Sequence, residues 1–430
     1  MRDREANQMI ASATGISAGR SRATPGGYAP GRAARAGFTL VEMFVVIAII
    51  LIIVALAVPG VSAMVYSSNR ALAENSLRVA VSAARDAAIA SSRSGDGAAV
   101  FLYEPGVGIR IVPAEVVGQV RVRANALSLG SAGTQTYDLL APVSLGQSVT
   151  LPEFWMVRGY APAGSMEAAP GEPNPTWYTS RNYGGTSAND AAKREGNWVF
   201  PESGFYDTEV ARHPGGGGGG TAGFSGPPTP RQSFMVRFSN RTGSVSRVNT
   251  PGLFIDPRPS VNERDRVASS RTSPDAWKRV DWAEDTRTWC VRLLGRLGAL
   301  QPGPERDEIL ELIGNNNNDT VLVKSVNRLA LYDERRLARG IGGRVNTETG
   351  SIYEPYGANR RISFDQSLFR GASTDQIRRN INAWIDGDTS GGPGGPLGNI
   401  YDGVIDENDT PESALFTLQG YTGELTEIEQ

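Results

Sequence analysis

The chain has 430 residues, of which 20 % are charged and 40 % hydrophobic, and its formal net charge is −2. That length allows two or three domains, and a near-neutral balance gives no reason to expect nucleic-acid binding. The single cysteine, Cys290, excludes an intramolecular disulfide and a cysteine metal cluster. The single histidine, His213, precedes Pro214 and the glycine run 215–220, where it reads as a solvated loop residue and not as a ligand or base.

Residues 1–37 hold six arginines against two acids, leaving 37 basic and 43 acidic residues beyond them, a net of −6. The stretch from Ser12 to Ala36 is rich in Gly, Ser, Ala and Arg, shows no periodic apolar face, and reads as disordered. Met9 is an alternative start. Next comes Gly37-Phe38-Thr39-Leu40-Val41-Glu42, and then sixteen apolar residues without interruption, Met43 to Val58. The 21 residues from Phe38 to Val58 would span about 31 Å as a helix, roughly one hydrocarbon core. Ten of them are Val or Ile, poor helix formers in water, but in lipid every backbone group must bond within its own segment. A carboxylate in such a helix costs about 2.5–3.5 kcal/mol on insertion scales, which marks Glu42 as a functional candidate in need of a partner. A basic flank before the span and an acidic body after it place the amino terminus in the cytoplasm and the body outside the membrane.

The hexapeptide from Gly37 to Glu42 resembles the signal of type IV pilins and type II secretion pseudopilins, G|F-T-L-[I/V]-E, at all six positions. The resemblance implies that a prepilin peptidase cuts between Gly37 and Phe38 and methylates the new amino terminus, removing 1–37 as a leader. It implies partners: that peptidase, other pilins or pseudopilins, and an inner-membrane assembly platform. It also gives Glu42 a counter-charge, since the amine of Phe38 on this or an adjacent subunit is a cation at the membrane edge. Two plainer readings compete: a single-span anchor with a stray Glu, and a cleaved secretory signal with Val61-Ser62-Ala63 as its site. Against the second, the apolar run exceeds the usual roughly 7–15 residues.

Pro59 follows the span and removes a helix hydrogen bond, predicting a bend there. The helix resumes beyond it, with Leu77, Val81, Ala84 and Ala88 at helical spacing and Ala80, Ala83 and Ala87 widening the stripe. Small residues allow a sheet to approach closely. Arg70, Glu74, Arg78, Arg85 and Arg93 form the polar face, and Ser94-Gly95-Asp96-Gly97 ends the helix. The strands 99–103 and 108–112 flank a turn and predict a hairpin, and Val120–Arg123 alternates as a half-buried strand. The order of long helix, then Ala84–Ser92, then strand resembles the GspH/FimT group of minor pseudopilins, although Asp86 and Ala87 stand where that group has Ser/Thr and Glu.

From Trp155 to Pro230 periodicity is lost, and aromatics such as Trp155, Trp177, Trp198 and Phe200 alternate with Gly, Pro, Asn and Ser. The aromatics read as packing residues of an irregular insertion, with a ligand-reading surface as the alternative. Segments 233–238 and 243–248 predict a hairpin, and Ser273-Pro274 a helix start. Its apolar stripe would be Trp282, Trp289, Leu293, Leu297 and Leu300. A short helix is expected over 304–313, a strand over 320–326, a capped helix over 373–385, and a hairpin over 414–428 turning at Gly420–Gly423.

Asp386 and Asp388 precede a Gly/Pro-rich loop, and Asp402, Asp406 and Asp409 follow it. Carboxylates clustered in loops with tight glycine turns suit calcium, although the EF-hand spacing is incomplete, and a solvated acidic loop explains the same residues. No phosphate loop, nucleophile elbow or zinc-binding helix motif occurs, so no enzyme activity is expected.

The expected fold is α+β and pilin-like: a long amino-terminal helix, half transmembrane and half amphipathic, packed on an antiparallel sheet, with large irregular and helical insertions. The expected divisions are 1–37 leader, 38–58 transmembrane helix, 59–150 pilin-like helix and first strands, 151–232 insertion rich in Gly, Pro and aromatics, and 233–430 carboxyl-terminal elaboration. The expected function is that of a minor pseudopilin of a type II secretion pseudopilus or type IV pilus-like filament, in the inner membrane and single-pass. The alternative is a pilin-fold, membrane-anchored surface protein whose head binds a ligand or cargo.

Overall fold

A computed structural model describes residues 39–90, 95–104, 107–123, 134–143, 148–162, 197–201, 231–246, 248, 250–255, 283–304, 306, 320–347, 350–356, 361–364, 368–369, 374–386 and 413–428. Contacts divide the chain into two compact units, Met1–Ala63 and Met64–Gln430. Helix α1 (Leu40–Ala90) begins in the first and ends in the second. It is the one described helix long and apolar enough to cross a membrane. Within the first unit its described large apolar side chains, among them Leu40, Phe44, Ile47, Leu51, Val54 and Val61, are exposed.

The second unit is built around a closed ring of strands. In chain order these are β1 (Gly97–Glu104), β2 (Gly108–Arg123), β3 (Thr134–Pro142), β4 (Val149–Thr150), β5 (Trp155–Ala161), β6 (Asn197–Val199), β7 (Arg231–Phe238), β8 (Gly252–Ile255), β9 (Thr320–Ser325), β10 (Arg328–Asp333), β11 (Tyr353–Tyr356), β12 (Arg361–Phe364), β13 (Ala414–Leu418) and β14 (Leu425–Ile428). Hydrogen-bonded neighbours run β1-β7-β9-β8-β3-β2, and β2 pairs again with β1, closing a six-stranded barrel with β4 added on β2. A second sheet, β14-β13-β10-β5-β6, is antiparallel throughout.

The two-residue period of a strand explains the layering. Ala98, Val100 and Leu102 of β1 point into the barrel, where they meet Val112, Leu140, Met235, Phe254, Val321 and Val323. Their neighbours Ala99, Phe101 and Tyr103 point out, into a core shared with α1 and the second sheet. That core takes Ala73, Leu77, Ala80, Val81, Ala84 and Ala88 from α1. A Cβ on Gly97 would lie 2.6 Å from the Ala88 Cβ, so a small residue on each side sets the approach of β1 to the helix. The backbone N–H of Arg241 donates to the Ala88 carbonyl at 3.2 Å, satisfying one of the acceptors left open at a helix end.

The opposite outer face of the barrel is covered by α2 (Ala283–Ala299), whose Trp289, Cys290, Leu293 and Leu297 pack on Tyr137, Leu139, Leu253 and Leu322. Gly118, at the bulge of β2, leaves room for it, since a Cβ there would strike Leu294. Two short helices border the second sheet: α3 (Glu334–Gly340), capped by Asp333, and α4 (Thr374–Asp386), which buries Ile381 and Ile385.

Several sequence expectations meet a different arrangement. The strand at 120–123 is the far end of the 16-residue β2. Segments 233–238 and 243–248 do not form a hairpin ladder: they share one bridge, Phe238 with Val245, while β7 pairs with β1 and runs parallel to β9. The sheet facing α1 is accordingly mixed and not purely antiparallel, with β3–β8 and β7–β9 parallel. The helix start at Ser273-Pro274, and the 304–313 helix apart from Pro304 and Arg306, lie outside the described residues.

Candidate functional site

Helix α1 starts at Leu40, which makes Thr39 its N-cap and Glu42 the third helical residue. The Thr39 backbone N–H donates to Glu42 Oε2 at 2.9 Å, the Thr39 hydroxyl donates to the same oxygen at 3.0 Å, and the Glu42 N–H donates back to Thr39 Oγ1 at 3.2 Å. This is a reciprocal capping box, which satisfies two amide donors that the first helical turn would leave open. A carboxylate there also lies at the positive end of the helix dipole. Thr39 and Glu42 of the hexapeptide are thus joined by hydrogen bonds, and the carboxylate is held at the first turn, beside the chain that leads to Phe38. Gly37 and Phe38 lie outside the described residues.

The acidic loop is placed only at its first member. Asp386 ends α4, exposed, and accepts the indole N–H of Trp198 at 2.8 Å. Asp388, Asp402, Asp406 and Asp409 lie outside the described residues. Among the described residues no group of three or more His, Cys, Asp or Glu could hold a metal ion.

Two buried polar clusters were not legible as sites. At one end of the barrel Arg237 bridges two carboxylates: its Nε donates to Asp96 at 2.9 Å and its other guanidinium nitrogen to Asp138 at 2.5 Å. Ser246 and the Asn240 N–H add bonds to Asp96, and Gln119 adds one to Asp138. One cation thus ties three segments distant in sequence, and Gln119 adds a fourth through Asp138. In the second sheet the fully buried Arg158 donates to the Tyr332 hydroxyl at 2.9 Å and the Trp198 carbonyl at 3.1 Å, with the Phe200 ring 5.3 Å away.

Nearby, Glu334 opens α3 with no exposure to solvent. Its Oε1 accepts the Ser351 hydroxyl at 2.7 Å and the Ile352 N–H at 2.8 Å, whereas Oε2 has no hydrogen-bond partner among the described residues. Burial pushes the Glu334 carboxyl up to about 7, against the lowering by those two bonds and by the charge of Arg158. The same desolvation, followed by the Glu334 charge, pushes the Tyr103 hydroxyl above its ordinary range.

A surface groove of about 510 Å³ lies between α1 and β14, lined among others by Arg78, Val81, Arg85, Leu425 and Glu427. Arg78 donates to the Leu425 carbonyl at 2.7 Å, so the helix covers part of the exposed edge of the second sheet. Compared with family models, curated proteins and solved structures, the chain matches none.

Proposed function

We propose that the chain is a minor pseudopilin, a structural subunit of a type II secretion pseudopilus or type IV pilus-like filament. The observation that carries this is the Gly37–Glu42 hexapeptide set at the start of a helix long and apolar enough to cross a membrane. Prepilin peptidase cuts after Gly37 and methylates Phe38, and the body 59–430 lies outside the cytoplasmic membrane. The capping box supports the reading, because a carboxylate bonded to its own helix start is at the depth where a neighbouring Phe38 amine needs a counter-charge. So does the carboxyl-terminal half of α1, which lies against strands and closes the core with small residues. The role proposed is assembly through α1, with a pilin-like arrangement of that helix on strands and no catalysis.

Co-expression with a prepilin peptidase tests this. The precursor should shorten by the 37-residue leader, and replacing Gly37 with Leu should leave it uncut. A chain that instead loses everything before Met64 would be a secreted protein, and the reading would fall.

A further inference from the structure

We infer that the groove between α1 and β14 is a binding site for a short acidic peptide, laid along the free edge of β14 with one carboxylate on Arg85. The inference goes beyond the filament reading and does not depend on it, since both walls of the groove belong to the second unit.

The carboxylate follows from an unengaged cation. Arg85 lines the groove and is half-buried, and its Nε is shut off from water with no hydrogen-bond acceptor. No hydrogen bond or ion pair among the described residues engages the rest of its guanidinium. A buried donor left open is costly, and the large majority of such groups in proteins find an acceptor. The helix dipole does not account for Arg85, because the last turn of α1 holds no basic residue. A solvated arginine would keep its donors in water, whereas this one has lost water at Nε without gaining a partner. A carboxylate supplies what is missing, since a guanidinium takes its two oxygens as a pair. Glu424 and Glu427 line the same groove: Arg70 and Arg78 engage Glu427, and Glu424 is exposed. A single carboxylate on a neutral backbone tolerates that company, but a phosphate dianion is repelled by it.

The peptide follows from the backbone of β14, which ends the second sheet and pairs only with β13. The Gln419 N–H donates to the Glu424 carbonyl at 2.9 Å across the hairpin. Antiparallel alternation then turns the main-chain groups of Thr426 toward β13 and those of Leu425 and Glu427 toward the groove. Arg78, on the groove's other wall, takes the Leu425 carbonyl at 2.7 Å, in keeping with that direction. The Glu427 N–H and carbonyl have no partner among the described residues. An extended peptide uses such groups as an added strand, and its side chains then reach the neighbouring wall, here α1 with Arg85 and the Ser82 hydroxyl. Val81 and Leu425 supply apolar lining. At about 510 Å³ the groove falls within the range of ordinary ligand sites, roughly 300–1,000 Å³.

Calorimetric titration of the detergent-solubilised full chain tests this with two capped, valine-rich peptides that differ only in a central glutamate or glutamine. The glutamate peptide should bind at least about tenfold more tightly, the worth of one charge-assisted hydrogen bond. Once bound, it should slow hydrogen exchange at the Leu425 and Glu427 amides. Arg85→Gln should abolish the preference for glutamate, with a melting midpoint no lower than that of the wild type, because Arg85 has no partner to lose. Failure of both peptides to bind, equal binding of the two, or a preference that survives Arg85→Gln would overturn the inference. Displacement of the peptide by an equal concentration of inorganic phosphate would do so too, by making the groove a general anion site. A lowered midpoint for R85Q would likewise overturn it, by giving Arg85 a structural role.

Discussion

Changing Glu334 to Gln should make the protein's stability nearly independent of pH in a window where the wild type is not. Burial raises the folded-state value to about 7 from an ordinary 4.5. Between those two values the folded protein binds the proton more tightly than the unfolded chain, so stability is fully present below about pH 4.5 and falls as pH rises through about 7. A difference of about 2.5 units corresponds to about 3 kcal/mol. The structure gives the cause: Oε2 has no hydrogen-bond partner among the described residues, and ionising the group leaves a buried charge with two hydrogen bonds on its other oxygen. With one histidine in the chain, few other side chains titrate between pH 5 and 8, so the effect should not be masked. Thermal melts of the detergent-solubilised full chain at pH 5, 6, 7 and 8 would measure it. The wild type should lose several degrees toward pH 8, while E334Q should hold a level midpoint and melt above wild type at pH 8. A wild-type midpoint that is flat across this range, or an E334Q slope equal to the wild-type slope, would refute the reasoning.

Other perturbations have equally definite outcomes. Arg237→Ala strands Asp138 in the barrel with its counter-charge removed, and should cost about 3–5 kcal/mol by chemical denaturation. Gly97→Val pushes a side chain against Ala88 and the Ala84 carbonyl, and should cost about 1–3 kcal/mol in the same assay, with increased proteolysis between α1 and β1. On the pseudopilin reading Glu42→Leu removes an intramembrane carboxylate, so insertion should be undiminished and the proposed cleavage after Gly37 should persist, but co-purification with partner pilins should drop. If the Leu variant assembles normally, the counter-charge role of Glu42 is wrong.

What the sequence made visible was local. The stripe Leu77, Val81, Ala84 and Ala88 repeats at 3.6 residues and is the face that α1 buries. The short apolar runs Ala99–Tyr103 and Gly108–Val112 on either side of a turn give the β1–β2 ladder, because a short turn makes the partner the next strand. The capping box was equally local: Thr39 and Glu42 stand at its three-residue spacing, although the hexapeptide drew attention to Glu42 for another reason. The barrel was hidden because its closure depends on partners far apart in the chain. Nothing near Phe234 indicates that β7 will lie parallel to β9, some ninety residues later. Arg158 and Arg237 sit in strands where a charge normally marks the solvent face, and their partners Tyr332, Asp96 and Asp138 come from other segments. Glu334 was concealed by its company, since Asp333-Glu334-Arg335-Arg336 reads as a solvated charge run until the fold buries the second of the four.

The central claim is that this chain is processed and assembled as a pseudopilin, and the mature amino terminus tests it most directly. Mass spectrometry of the membrane-extracted protein should find a first residue of Phe38 carrying one added methyl group on its α-amine. An intact terminus at Met1 or Met9, or one beginning at Met64, would contradict the account.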